Sequence, residues 1–322
     1  MNIKITGIGY HLPDKIETSK QLSKKINKST DWIISRTGVK ERRVSNIDVD
    51  KMGALAAKDA LRNSNDHPDL ILNASGVGKQ VLPDTSVFFQ KELGFEGIPS
   101  FSIHATCLSF LVALYTAATF VTNGAYKKIL IISSDRGTRG RNFNEPESAA
   151  LLGDAAAAIV VEKANDGEQS KLIDFSMNTW PSGSYLTEVR GGGTNLHPHD
   201  GETTHDDNLF SMNGPMIYKM ARKTVYDRIQ KDLRKHKLTT NDIDILIPHQ
   251  ASGLAVKAYS KYGGFKEDKV MNIIEKTGNC VAASIPLALA LAKEKNKIKR
   301  GNTIYFVGTG AGLSVASMLL KY

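Results

Sequence analysis

A chain of 322 residues, 41% hydrophobic and 23% charged, has the composition of a soluble globular protein with a large core, either two domains or one duplicated unit. No run reaches the ~18 uninterrupted apolar residues of a membrane helix, and the N-terminal MNIKITGIGYHLP lacks a signal-peptide pattern, so the expected location is cytoplasmic. Two cysteines, Cys107 and Cys280, exclude a disulfide framework and a cysteine-based zinc site; a net charge of +9 favours acidic partners, without the aromatic-interleaved basic motif that would point to nucleic acid.

Short apolar runs alternate with helical periodicity, which predicts an α/β fold with buried sheets. In chain order the pattern predicts a helix over 51–63, a buried strand over 70–73, a helix over 108–123 and strands over 128–133 and 157–161. The second half predicts a helix over 216–235, a strand over 243–248 and a helix over 251–262. A short strand over 271–274, a helix over 281–294 and strands over 303–307 and 313–319 follow. Two polar stretches interrupt the pattern. Residues 135–148 form a short excursion, and 178–210 are Gly-rich and too long for a plain connector, as expected of a flexible loop over an active-site mouth.

The two halves repeat one order of elements: an Asp-led strand, a helix, a short strand, then an apolar helix. Ile71 to Cys107 spans 36 residues and Ile245 to Asn279 spans 34, so the spacing predicts an internal duplication with halves at 1–168 and 169–322. In that alignment Cys107 and Asn279 open equivalent helices.

Cys107, in SIHATCLSFLVAL, lies where a β-run gives way to an apolar helix. A helix N-terminus stabilises a thiolate, and the elbow exposes the sulfur at one end of a sheet. Free cysteine is otherwise a common buried hydrophobe, which suffices for Cys280. His249 ends the apolar run ILIPH, at the strand end where clefts open. Asn279 alone reads as a helix N-cap. Together, in a pseudo-twofold duplication, a thiol, an imidazole and an amide converge on one pocket. His197, His199 and His205, with Asp200, Glu202, Asp206 and Asp207, crowd the long loop, but their spacing fits no helical or zinc-finger metal pattern.

Three blocks, ATCLSF around Cys107, PHQAS at 248–252 and GNCVAASIPLAL at 278–289, resemble the active-site blocks of the ketoacyl-acyl-carrier-protein synthase III family, in the family's order. STDWIISRTGVKERR at 29–43, LLGDAAAAIVV at 151–161 and GTGAGLS at 308–314 resemble further blocks, so the likeness covers nearly the whole chain. The resemblance implies a thiolase-like duplicated αβαβα five-layered fold and a homodimer. It implies a decarboxylating condensation in which Cys107 accepts an acyl group from acyl-CoA and malonyl-acyl-carrier protein then supplies the carbanion. His249 and Asn279 would stabilise the enolate; the N–H groups of Cys107 and of the 310–312 turn would bind the acyl oxyanion. Trp32, Arg36 and Thr37 would contact CoA, with no tightly bound cofactor and no metal. Leu108, Ser109 and Ser252 depart from the family's usual residues, Leu108 and Ser109 where an acyl channel would be reshaped, which leaves fatty-acid initiation and a specialised acyl pathway both open. The alternatives are an acyltransferase that does not decarboxylate, and a silent partner subunit of a ketosynthase heterodimer; an intact Cys107 counts against the second.

Overall fold

A computed structural model of the chain describes residues 1–64 and 66–322, with Asp200 described by its backbone alone. Its first sheet holds, side by side, the strands Ile3–His11, Asp154–Lys163, Lys128–Arg136, Leu70–Asn73 and Ser100–Ser102. The first two neighbouring pairs are antiparallel and the last two parallel. The second sheet repeats this order with Lys171–Thr179, Ser314–Lys321, Thr303–Gly310 and Ile245–Pro248, again antiparallel, antiparallel, parallel.

Alternation along the strands sorts the core into layers. In Asp154–Lys163, Ala155, Ala157, Ile159 and Val161 join one apolar cluster, whereas Ala156, Ala158 and Val160 join another. Both faces being covered, the strand reads as an unbroken apolar run. The cluster between the sheets takes in the helices Ser109–Thr122 and Ser284–Glu294 through Leu111, Leu114, Ile285 and Leu289. Val49–Ala60 and Thr85–Leu93 cover the outer face of the first sheet, through Met52 and Phe89. Gly214–His236 and Gly253–Lys261 cover that of the second, through Val225, Ile229 and Val256. The layers therefore run helix, sheet, helix, sheet, helix. None of the described helices is long and apolar enough to cross a membrane.

Residues 271–274 form no strand. Val270 makes a lone parallel bridge to Leu246, where Ser100–Ser102 stands in the first sheet, and the chain then turns into the short helix Ile274–Thr277. The amides that a strand would use are taken instead by Gln250, whose Oε1 accepts from Ile273 N at 2.9 Å and Ile274 N at 3.1 Å.

The long polar stretch is also better ordered than its composition predicts. Thr187–Glu188 pairs with Ser211–Met212, and Phe210 donates to Gly140 O at 2.7 Å. Ser148 Oγ donates to Phe210 O at 2.9 Å, so the two polar excursions dock on each other. Met212 packs with Val39, Leu151 and Ile274. The stem of the stretch is thus seated in the fold, which corrects the expectation of a wholly flexible loop.

Candidate active site

The nucleophile candidate sits on a strained elbow. Thr106 has φ 51°, a left-handed conformation costly for a β-branched residue, and outliers of this kind concentrate at functional sites. Thr106–Leu108 forms one 3-10 turn before the helix starts at Ser109. Ser109 Oγ ties the elbow together, accepting from Ala105 N at 3.0 Å and donating to Thr106 O at 2.7 Å. Leu108 is fully buried, and a Cβ on Gly308 would meet its Cδ2 at 3.0 Å. Leu108 and Ser109 thus both help to hold the elbow.

The second half builds the same elbow one turn later than the sequence alignment places it. Val281 has φ 50°, Val281–Ala283 is the 3-10 turn, and Cys280 N donates to Ser284 Oγ at 3.0 Å. His104 Nε2 bonds Gly76 O at 3.0 Å, and Asn279 Nδ2 donates to Ala251 O at 3.4 Å in the matching position. One register thus carries Leu70 onto Ile245, His104 onto Asn279, Thr106 onto Val281 and Cys107 onto Ala282. Cys107 and Asn279 are not equivalents, as the two spacings suggested; Asn279 stands three residues ahead of the elbow position that matches Cys107.

The three chemical candidates still come together. The two elbows touch one another, and the Cys107 elbow packs on the strand Thr303–Gly310. His249 follows Ile245–Pro248, and its backbone N donates to Val307 O at 2.9 Å. A Cβ on Gly308 would lie 3.0 Å from both His249 Cβ and Leu108 Cδ2, so this glycine lets the imidazole segment close on the Cys107 elbow. Asn279 Oδ1 accepts from Val281 N at 2.8 Å, which fixes the amide with Nδ2 as its donor.

Electrostatics differ from the sequence expectation at the thiol. Burial and the nearby Asp135 carboxylate push Cys107 up to about 12, against a smaller pull from its own backbone N–H. Desolvation and the neighbouring carboxylate both favour the neutral thiol. Burial pushes His249 down to about 4, and its Nδ1 has no hydrogen-bond partner among the described residues. A neutral imidazole can accept a proton from a thiol as its sulfur attacks a carbonyl.

Trp32, Arg36 and Thr37 ride on the helix Thr30–Thr37, capped by the Ser29 hydroxyl. It ends at Gly38, whose added Cβ would meet Gly253 Cα at 2.6 Å, so the helix is braced against the segment after His249. Trp32 is half-buried, with Lys28 Nζ 5.4 Å from its ring centroid. Arg36 is exposed, and its 4.0 Å contact with Glu147 binds it only weakly. Thr37 is buried, its hydroxyl donating to Ile33 O at 2.7 Å and accepting from Val39 N at 3.1 Å. Its oxygen serves the helix end, which leaves Trp32 and Arg36 as the surface candidates.

Sequence reasoning missed two buried residues. Asp135 accepts backbone N–H groups from Gly76, Val77 and Ala283 at 2.9–3.1 Å. Gln250, besides the two bonds above, donates to Pro248 O at 2.9 Å and Met271 O at 3.1 Å. An acid ending the apolar strand KILIISSD was the available signal for Asp135, since buried carboxylates need partners. Among the described residues no group of three metal-ligating side chains converges, and His197 Nδ1 accepts from His199 N at 3.1 Å.

Two family models match: "3-Oxoacyl-[acyl-carrier-protein (ACP)] synthase III" over residues 101–181 and its C-terminal counterpart over 233–322. A beta-ketoacyl-[acyl-carrier-protein] synthase III from Natranaerobius thermophilus is 34% identical over 100% of this chain and 99% of that protein. The crystal structure of 3-oxoacyl-[acyl-carrier-protein] synthase III from Aquifex aeolicus matches with a TM-score of 0.90 at 30% identity, covering 99% of this chain and 100% of that one. That of the Pseudomonas aeruginosa synthase III matches at 0.92 and 25%, covering 100% and 98%. The thiolase-like five-layered fold expected from the sequence is therefore present, and the chain belongs to the beta-ketoacyl-[acyl-carrier-protein] synthase III family of condensing acyltransferases.

Proposed function

We propose that Cys107, His249 and Asn279 are the catalytic residues of a two-step condensation between an acyl-CoA and malonyl-acyl-carrier protein. The single observation that carries this is their convergence where the two elbows meet, with His249 neutral and the Asn279 amide fixed. Cys107 attacks the acyl thioester, its proton passing to His249 and on to the departing CoA thiol. The malonyl C–CO₂ bond then breaks, leaving its electron pair in an enolate that accepts hydrogen bonds from His249 and Asn279 Nδ2. That carbanion attacks the acyl-Cys107 carbonyl, the sulfur leaves as a thiolate, and a proton taken from water restores the thiol. Neutral donors favour this step because negative charge develops only as CO₂ departs.

The intact pair His249 and Asn279 favours condensation over simple acyl transfer. Trp32 and Arg36 contact the CoA moiety, the indole against the base and the guanidinium on phosphate. A homodimer forms along the free edge of Ser100–Ser102, where Phe101 stands exposed; sedimentation as a monomer would exclude it. The cytoplasm, where these thioesters are made, is the proposed location.

Intact-mass spectrometry after exposure to a panel of acyl-CoAs tests the nucleophile. An adduct on the wild-type chain that disappears in Cys107→Ala is expected, and an adduct that persists would overturn the assignment. Release of labelled CO₂ from malonyl-acyl-carrier protein by the acylated enzyme is the expected sign of condensation; acylation with no CO₂ would favour simple transfer.

A further inference from the structure

The two elbows share a backbone but differ in what faces their amides. Above the second elbow, Asp135 Oδ2 accepts from Ala283 N at 3.1 Å. Its Oδ1 accepts from Gly76 N at 2.9 Å and Val77 N at 3.0 Å. The carboxylate is fully buried and links three segments: its own strand Lys128–Arg136, the loop after Leu70–Asn73, and the elbow behind Asn279. Every partner within bonding distance is an N–H donor, which matches an ionised carboxylate and offers nothing to a protonated one. The repeat register carries Asp135 onto Gly310, the last residue of Thr303–Gly310. There a Cβ would stand 2.5 Å from Thr106 Oγ1, so no side chain can occupy the equivalent seat above the Cys107 elbow.

We propose that Asp135 is a positioning residue for the decarboxylating step: in the half without a nucleophile its carboxylate fills the seat that a substrate oxygen takes in the half with Cys107, and so locks the elbow that sets Asn279. This role rests on the proposed condensation. Asn279 is bonded directly to that elbow through Val281 N, so a loosened joint moves the amide while the Cys107 elbow keeps its own Ser109 bracing. Acylation of Cys107 and decarboxylation at Asn279 therefore respond differently to a change at Asp135.

The test uses full-length Asp135→Asn, whose amide places N–H groups against N–H donors. Cys107 labelling is followed by intact mass with an acyl-CoA that labels the wild type, and decarboxylation by CO₂ from malonyl-acyl-carrier protein. Acylation is expected to stay within about threefold, whereas decarboxylation falls ~100-fold, as misplacement of a catalytic group by ~1 Å does. Should that variant not fold, Gly76→Ala displaces the same joint while keeping the carboxylate, since its Cβ would meet Val281 Cγ1 at 2.4 Å, and the same split is expected. Equal loss of both steps, or loss of neither, in the folded variant overturns the role. A wild type that acylates but releases no CO₂ overturns the condensation reading itself and this role with it.

Discussion

The elbows at Thr106–Leu108 and Val281–Ala283 are the same piece of backbone used twice. Each has a β-branched residue near φ 50° and a serine bracing the turn. What separates them is a handful of side chains. Cys107 faces Ala282, Asn279 faces His104, His249 faces Ala74 and Gly310 faces Asp135 in the shared register. The strain is common to both halves, so it belongs to the architecture that brings two helix starts together. The side chains are asymmetric: one elbow carries a thiol, while the other is closed by the Asp135 carboxylate.

Changes that erase the difference between the elbows test this most sharply. The largest effect is expected for Asn279→Ala, which should slow decarboxylation by ~10²–10³ while leaving acylation of Cys107 largely intact; an equal loss of both would return Asn279 to a capping role. Next comes the neutrality of His249. Because burial holds it near 4, the imidazole stays unprotonated as pH falls from 8 to about 5, and CO₂ release by the acyl-enzyme should be level over that window and drop only below it. A loss centred near the ordinary value of 6.5 would show an imidazole exposed to solvent and would break the picture of a closed site.

Gln250→Ala addresses the scaffold. It removes four buried hydrogen bonds between the His249 strand end and residues 271–274, where the first sheet has a true strand. Thermal and urea unfolding should show a loss of about 3 kcal/mol; no change would mean that the bridge at Val270 suffices. The smallest effect is expected for Arg36→Ala, raising KM for acyl-CoA by about fivefold with kcat unchanged, as a single solvated phosphate contact would. Unaltered KM would remove Arg36 from the CoA surface.

Much of this protein is written in local pattern. The runs LILN, KILIIS and AAAAIVV read as strands buried on both faces, and the long apolar stretch after Cys107 reads as a largely buried helix. The blocks around Cys107, His249 and Asn279 were legible for the same reason: thiol, imidazole and amide sit at ends of such elements. Tertiary structure alone decided the register of the duplication, because an alignment of helix starts cannot see which residue takes a left-handed φ. It also placed Asp135 near Cys107, where burial and that carboxylate both favour the neutral thiol. Thr37 was expected to contact CoA, whereas packing buries it with its hydroxyl bonded at the helix end. Periodicity reports which face of an element is apolar, whereas the partner across a gap is chosen only when the two sheets close on each other.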